Sequence, residues 1–370
     1  MKIAIFGAGQ LAMMMIKSDK NSEHQFIVID PADNPPASHY ATHIKTQYTD
    51  KDTLKKISET CDVATIDFEN VDVSAIKFLE EKIPTYPNSK ALEICQHRFE
   101  EKHFLRSLDI PTTEFQDLSN DFVLTNEELR EKLANPDNKY IAKTVRFGYD
   151  GKGQSKITQH NITKFVTESV TTDVKYILEK VVDFKSEVSL ICVRTCNGKS
   201  LFYPLIENHH HEGILRVSRY PNNFENLQDD AESIGLKVLD ELNYVGVLVI
   251  EFFVDKNNKL IVNEMAPRVH NSGHWTIEGS DLSQFKAHID AITGKEDLKI
   301  NELKPSLMLN ILSKHKSVKD LDEKDLSNTE VYLHDYHKEE RQNRKLGHIT
   351  LIFNDQKTFT KDSEEFLNIT

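Results

Sequence analysis

Residues 245–264 read Val245-Gly-Val-Leu-Val-Ile-Glu251-Phe-Phe-Val-Asp255-Lys-Asn-Asn-Lys259-Leu-Ile-Val-Asn-Glu264. This stretch contains two apolar runs, Val245–Val254 and Leu260–Val262, separated by five polar residues. The adjacent asparagines at 257 and 258 suit the positive φ angles of a type I′ turn. The pattern therefore predicts a β-hairpin with a two-residue turn.

Such a turn places residue 255 opposite 260 and Glu251 opposite Glu264. Carboxylates at directly facing positions have Cβ atoms about 4.5–5.5 Å apart, and like charges there are destabilising. A divalent cation relieves the repulsion, and Mg²⁺ bound with nucleotide phosphates needs few protein carboxylates. We expect Glu251 and Glu264 to be Mg²⁺ ligands; the alternative is two exposed acids at strand ends.

A polar loop, Glu264–Trp275, follows the hairpin directly. It contains Arg268, His270, Asn271 and the single tryptophan of the chain. A loop of this composition could be a polar surface, but its position beside a predicted metal ligand favours a site for an anionic substrate.

A glycine cluster, Gly148-Tyr-Asp-Gly-Lys-Gly153, lies between predicted strands. Glycines let backbone N–H groups approach an anion closely. The order of residues is not that of a Walker A loop, and no helix follows, so we expect a mobile flap over phosphates rather than a plain hairpin turn. Lys143, on the preceding strand, is a candidate phosphate contact.

The N-terminus shows a strand–turn–helix pattern with Gly7-Ala-Gly-Gln-Leu-Ala12 at the turn, and Asp30 closes the next strand. This is the arrangement of a dinucleotide-binding unit, and alone it would suggest a nicotinamide-dependent dehydrogenase. Strand-like segments recur near the C-terminus. We therefore expect an α/β domain over 1–97, a body over 98–300 with a flap subdomain at about 112–180, and a β-rich domain over 301–370.

The composition limits the possible functions. The 370 residues carry a net charge of −13, which argues against a general nucleic-acid or anionic-membrane binder. No apolar run reaches the length of a membrane span, and four scattered cysteines fit a reducing compartment, so we expect a cytoplasmic protein. The segment Asn208–His211 lacks the ligand spacing of a zinc site. Arg341, Arg344 and Lys345 form a basic cluster suited to a ligand phosphate.

Eight motifs resemble, in order along nearly the whole chain, those of the ATP-grasp ligases, and among these the 5-(carboxyamino)imidazole ribonucleotide synthases. The motifs are Gly7-Ala-Gly-Gln-Leu11, Phe68-Glu-Asn-Val71, Gly148-Tyr-Asp-Gly-Lys-Gly-Gln154, Ser186-Glu-Val-Ser189, Tyr203-Pro-Leu205, Gly213-Ile-Leu-Arg216, Asn263-Glu-Met-Ala-Pro-Arg-Val-His-Asn-Ser-Gly-His-Trp-Thr276 and Arg344-Lys-Leu-Gly-His348. The resemblance implies a mixed α/β and α+β architecture: an ATP-grasp fold with an N-terminal Rossmann-like pre-ATP-grasp domain and a small β-rich C-terminal domain.

The same resemblance implies a reaction of purine biosynthesis. ATP phosphorylates bicarbonate to carboxyphosphate, and the carboxyl group passes to the exocyclic amine of 5-aminoimidazole ribonucleotide, with release of ADP and phosphate. The implied cofactors are ATP and Mg²⁺, for which Mn²⁺ can substitute, and the implied assembly is a homodimer.

Site residues follow from the resemblance, position by position. Catalysis is assigned to Tyr149, Asp150, Lys152, Arg268, His270 and Asn271. ATP is assigned to Arg98, Lys143, Gly148, Gly151, Gly153, Glu179, Lys180, Val182, Glu187, His210, Asn263 and Glu264. Substrate binding is assigned to Gln10, Leu11, Glu69, Asn70, His270, Asn271, Lys338, Arg344 and Lys345. Within these sets, Glu187 is expected on the ribose of ATP, Lys143 on its phosphates, and Arg344 with Lys345 on the phosphate of the ribonucleotide.

Three positions depart from the family pattern. Ala12-Met13 replaces the usual Gly-Arg, Lys152 replaces an arginine, and Asn343 replaces a glycine. None is an expected metal ligand, although the lysine loses the bidentate geometry of a guanidinium. The rival functions are a formate- or amino-acid-using ATP-grasp ligase, the dehydrogenase, and a nucleotide-binding regulator without catalysis.

Overall fold

The computed structural model describes residues 1–118, 131, 134–135, 138–148, 152–158, 160–313, 329–341, 344–354 and 359. Three β-sheets organise these residues: a parallel sheet of five strands, an antiparallel sheet of four and an antiparallel sheet of nine. Within the same ranges, no helix combines the length and the apolar character needed to cross a bilayer.

The parallel sheet forms the N-terminal region, with strand order β3-β2-β1-β4-β5. Its strands are β1 (Lys2–Phe6), β2 (Gln25–Ile29), β3 (Thr42–Ile44), β4 (Val63–Ile66) and β5 (Thr85–Tyr86). The accompanying helices are α1 (Gln10–Ser18), α2 (Lys51–Thr60), α3 (Val73–Glu80), α4 (Ser89–Cys95) and α5 (Arg98–Ser107). Strand β1 is a continuous apolar run because, as the central strand of a parallel sheet, it is buried on both faces.

The four-stranded sheet has the order β6-β9-β7-β8. It contains β6 (Phe115–Asp117), β7 (Tyr140–Thr144), β8 (Gln154–Ile157) and β9 (Tyr176–Lys180), and α6 (Ile162–Thr171) packs against it. Strands β7 and β8 are antiparallel neighbours, with Lys143 opposite Gln154. The glycine cluster therefore joins two paired strands, as expected for its flanks; Tyr149, Asp150 and Gly151 lie outside the described residues.

The nine-stranded sheet has the order β15-β14-β10-β12-β13-β16-β18-β17, with β11 beside β10. Its strands are β10 (Phe184–Arg194), β11 (Ser200–Phe202), β12 (Ile206–His211), β13 (Ile214–Tyr220), β14 (Gly246–Asp255), β15 (Leu260–Ala266), β16 (Ser306–Leu312), β17 (Thr329–Asp335) and β18 (Lys345–Phe353). The associated helices are α7 (Gln228–Glu241), α8 (Thr276–Gly279) and α9 (Gln284–Ile292). Because β16 pairs with β13, the C-terminal strands extend the sheet of the body. Domain boundaries near 97 and 300 stay predictions.

The β14–β15 hairpin confirms that Glu251 faces Glu264, although the turn differs from the expected one. Of the two asparagines only Asn258 has a positive φ, +61°, so the turn is not type I′. The backbone N–H of Asp255 donates to the Lys259 carbonyl at 3.0 Å, as in a three-residue loop ending in a left-handed residue. This loop shifts the strand pairing by one residue from the expected register. A bulge at Asn263 cancels the shift, so that Glu264 again lies opposite Glu251.

The hairpin loop allows a stability test. Replacing Asn258 with Val should lower the free energy of unfolding by about 1–2 kcal/mol, because a β-branched residue is strained at positive φ. Replacing Asn257 with Val is the matched control and should cost much less, since only the former position is left-handed. Urea unfolding measures both; equal losses would indicate the two-residue turn instead.

Candidate functional site

A cavity of about 980 Å³ lies where the parallel sheet, the β14–β15 hairpin and the C-terminal strands meet. It brings together residues that are far apart in the sequence. The predicted site residues that line it are Gln10, Leu11, Glu69, Asn70, Arg98, Gly148, Lys152, His210, Glu251, Glu264, Arg268, His270, Asn271, Lys338, Arg344 and Lys345. Their individual roles stay predictions.

The other predicted site residues within the described ranges lie outside the lining of this cavity. They are Lys143, Gly153, Glu179, Lys180, Val182, Glu187 and Asn263. Lys143 and Glu179 lie on neighbouring strands of the four-stranded sheet, β7 and β9, and the Lys143 ammonium donates to Glu179 Oε2 at 2.8 Å. Glu187 contacts His210, which lines the cavity: Nδ1 of His210 is 2.9 Å from the Glu187 carboxylate.

The two facing carboxylates of the hairpin have different environments. Arg98 Nη1 donates to Glu264 Oε2 at 2.9 Å. Burial alone would raise the pKa of Glu264, but Arg98 and nearby lysines outweigh it and lower this pKa to about 2. Burial and repulsion from Glu264 instead raise the pKa of Glu251 to about 7, against the opposing effect of His210.

The carboxylate pair fits a divalent cation. Glu251 Oε1 is buried, and no described residue forms a hydrogen bond with it. Among the described residues no group of three or more His, Cys, Asp or Glu converges as a metal site. Phosphate and water oxygens would therefore have to complete the shell, which is how Mg²⁺ is commonly held beside nucleotides.

Helix α5 supplies cations on two successive turns. Arg98, at its first position, also donates through Nη2 to the carbonyl of Gly148 at 3.1 Å, so it connects the hairpin to the glycine cluster. Lys102, one turn later, is only 1% exposed, and its Nζ lies 3.6 Å from Glu179 Oε1. The site residues predicted from the sequence do not include Lys102. The signal that could have identified it is its spacing, because a residue four positions after Arg98 lies on the same face of the helix.

The loop after β15 forms one wall of the cavity. Arg268 makes an ion pair with Glu69 of the N-terminal region. Asn271 and Asn310 exchange side-chain hydrogen bonds at 3.0 and 2.7 Å, which fixes the loop to β16. Burial, reinforced by Arg268, lowers the pKa of His270 well below its usual value, so its imidazole is neutral at pH 7.

Basic side chains line the C-terminal side of the same cavity. They are Lys338, Arg341, Arg344 and Lys345. The Lys338 ammonium donates to Gln10 Oε1, and Arg344 Nη1 donates to the carbonyl of Glu339 at 3.1 Å. The cavity therefore contains a cluster of positive charge, suited to a ligand phosphate.

The N-terminal glycine turn is occupied by carboxylates of the chain itself. Asp67 Oδ2 accepts hydrogen bonds from the N–H groups of Gly9 at 2.7 Å and Ala12 at 3.3 Å, and Asp30 Oδ2 accepts from Ala8 at 3.0 Å. Burial raises the pKa of Asp67 to about 7. With these donors used internally, the turn offers no pyrophosphate site, which argues against the dehydrogenase. The site residues predicted from the sequence do not include Asp67. Its position directly after a buried strand was a signal, because ligands of α/β sheets bind at the carboxyl ends of the strands.

Family comparisons cover most of the chain. Residues 1–96 match the ribonucleotide synthetase preATP-grasp domain, 103–285 the ATP-grasp domain, and 306–362 the phosphoribosylaminoimidazole carboxylase C-terminal domain. These matches confirm the fold implied by the sequence motifs.

Individual relatives agree with these matches. The N5-carboxyaminoimidazole ribonucleotide synthase of Pseudomonas aeruginosa is 37% identical, over 97% of this chain and 96% of its own. The Staphylococcus aureus N5-carboxyaminoimidazole synthetase complexed with ADP has a TM-score of 0.87 and 32% identity, covering 98% of this chain and 96% of its own. The Aspergillus clavatus synthase, in complex with ADP and 5-aminoimidazole ribonucleotide, has a TM-score of 0.85 and 28% identity, covering 100% of this chain and 98% of its own. The chain belongs to the N5-carboxyaminoimidazole ribonucleotide synthase family of ATP-grasp ligases.

Proposed function

We propose that this chain uses ATP to carboxylate the exocyclic amine of 5-aminoimidazole ribonucleotide with bicarbonate, forming the N5-carboxy product, ADP and phosphate. The observation that carries the proposal is one cavity that contains both the facing carboxylates Glu251 and Glu264 and the basic group around Arg344. The first pair suits a metal–nucleotide, and the second suits the phosphate of a ribonucleotide.

The chemistry has two steps. A bicarbonate oxygen attacks the γ-phosphorus of ATP, ADP leaves, and carboxyphosphate forms. The substrate amine then attacks the carboxyl carbon, the carbon–oxygen bond to phosphate breaks, and the amine loses a proton. Mg²⁺ held by Glu251 and Glu264 would neutralise charge on the phosphates. Arg98 and Lys143 would stabilise the charge that develops during the transfer.

The amine end of the reaction would be held by the loop after β15. Nδ1 of the neutral His270 accepts a hydrogen bond from the backbone N–H of Ser272, so the ring proton lies on Nε2 and would be donated to a substrate oxygen. The Glu69–Arg268 ion pair lies on the same cavity wall. The proposed roles of Tyr149 and Asp150 concern positions outside the described residues. Of the family departures, Ala12 and Met13 are buried in α1, Lys152 lines the cavity, and Asn343 lies outside the described residues.

The homodimer, the use of bicarbonate and the exact domain boundaries are part of this proposal. A formate- or amino-acid-using ligase would share the nucleotide site, and product analysis distinguishes them. The direct test of function is ADP release with each substrate omitted in turn. We expect full turnover only when bicarbonate and 5-aminoimidazole ribonucleotide are both present; turnover with formate or an amino acid would overturn the proposal.

The basic group can be tested by substitution. Arg344→Ala and Lys345→Ala should each raise the KM for the ribonucleotide about 10- to 100-fold, because a charge-assisted contact to phosphate contributes about 1.5–3 kcal/mol. The KM for ATP should change much less. Lys90→Ala, an exposed lysine paired with Glu241 away from the cavity, is the control. Equal effects on both KM values would contradict the assignment.

Replacing Glu251 and replacing Glu264 should have opposite effects on the stability of the fold. Without ligands, Glu251→Gln should raise the free energy of unfolding by about 1–3 kcal/mol, because it removes a buried carboxylate whose Oε1 receives no hydrogen bond from the described residues. Glu264→Gln should lower it, because Arg98 loses its partner. Both variants should lose Mg²⁺-dependent ADP release by orders of magnitude. Thermal unfolding and Mg²⁺ titrations measure these effects; unchanged Mg²⁺ curves would place the metal elsewhere.

A further inference from the structure

Glu179 is a buried carboxylate with two lysines beside it. It is 3% exposed, and its Oε2 accepts hydrogen bonds from Lys143 at 2.8 Å and from the Thr113 hydroxyl at 3.2 Å. Its Oε1 receives no hydrogen bond from any described residue, while Lys102 Nζ lies 3.6 Å away. One lysine is therefore fully engaged with the carboxylate, and the other stands just outside hydrogen-bond distance.

Lys102 is fixed in this position by other contacts. Its Nζ donates to the carbonyl of Asn263 at 3.1 Å and to the Thr112 hydroxyl at 3.2 Å. Asn263 is the bulged residue next to Glu264, and Thr112 precedes β6 of the four-stranded sheet. The ammonium is thus anchored between the hairpin and that sheet, and burial lowers its pKa in opposition to Glu179.

We propose that Lys102 is a positioning residue: it is the permanent counter-charge of Glu179, which allows Lys143 to exchange Glu179 for a nucleotide phosphate. The inference rests on the proposed function only in taking Lys143 as a phosphate contact. If Lys143 turns to a phosphate, Glu179 loses its closest cation. An unpaired buried charge is strongly destabilising, so the exchange requires a second cation that stays behind.

The geometry supports this division of roles. Lys143 holds Glu179 through one oxygen and lies on β7, which leads to the glycine cluster. Lys102 faces the other oxygen and has two anchoring acceptors of its own. When Lys143 departs, Lys102 needs a movement of well under 1 Å to come within the usual hydrogen-bond range of Glu179. The carboxylate then keeps one cation throughout.

The first test is nucleotide affinity in the full chain, measured by calorimetry with ADP and ATP. Lys102→Met should weaken both affinities at least tenfold, because Lys143 is then retained by Glu179. Lys102→Arg should keep most of the affinity, and adding Glu179→Gln to Lys102→Met should recover part of it. A lower Tm for Lys102→Met with unchanged affinity would mean that the lysine is only structural, and would overturn the proposal.

A second test covers the case in which Lys102→Met does not fold. Lys143→Met should retain a Tm close to that of the wild type, because Lys102 still compensates Glu179. A Tm loss for Lys143→Met as large as that caused by removing both lysines would also overturn the proposal. Binding of ADP needs neither bicarbonate nor the ribonucleotide. Failure of the proposed reaction would therefore appear in wild-type turnover, whereas failure of this inference would appear in affinity and Tm.

Discussion

The bulge at Asn263 determines the direction in which the hairpin presents its acids. In a regular ladder the side-chain direction alternates, so a shift of one residue moves a side chain to the other face. The three-residue loop introduces that shift, and the bulge removes it between Val262 and Glu264. Lys102, through the Asn263 carbonyl, ties the bulge to α5. The facing carboxylates therefore depend on one irregular residue and its buried partner.

Charge compensation within the chain prepares the site for an anionic ligand. Arg98 is paired with Glu264, and Lys143 is paired with Glu179. Each pair gives a buried charge a partner of opposite sign, because a buried charge without one lowers the stability of the fold. A metal–nucleotide brings both a cation and anions, so it can exchange partners with such pairs without leaving a charge alone. Glu251 differs from both, because within the described residues its only ion-pair contact is with His270 Nδ1, at 3.7 Å.

The N-terminal sheet has the topology of a dinucleotide-binding domain without its phosphate site. Asp67 approaches the turn so closely that a Cβ at Gly7 would lie 1.7 Å from Asp67 Oδ1. Gly7 also has a φ of +98°, so this position excludes any side chain on two grounds. The turn thus serves to bring Gln10 and Leu11 to the cavity wall, where the former contacts Lys338.

Local sequence patterns were sufficient to predict much of the architecture of this chain. Apolar runs predicted the hairpin. The expected two-residue turn also placed Glu251 opposite Glu264, but this register holds in the structure only because the bulge at Asn263 cancels the shift caused by the three-residue loop. The ordered motifs indicated the ATP-grasp architecture. Only the tertiary structure decided the bulge, the Arg98–Glu264 ion pair and the carboxylate in the glycine turn. Those contacts depend on packing, since the last two join residues 166 and 58 positions apart, respectively, where no sequence spacing specifies which side chains meet.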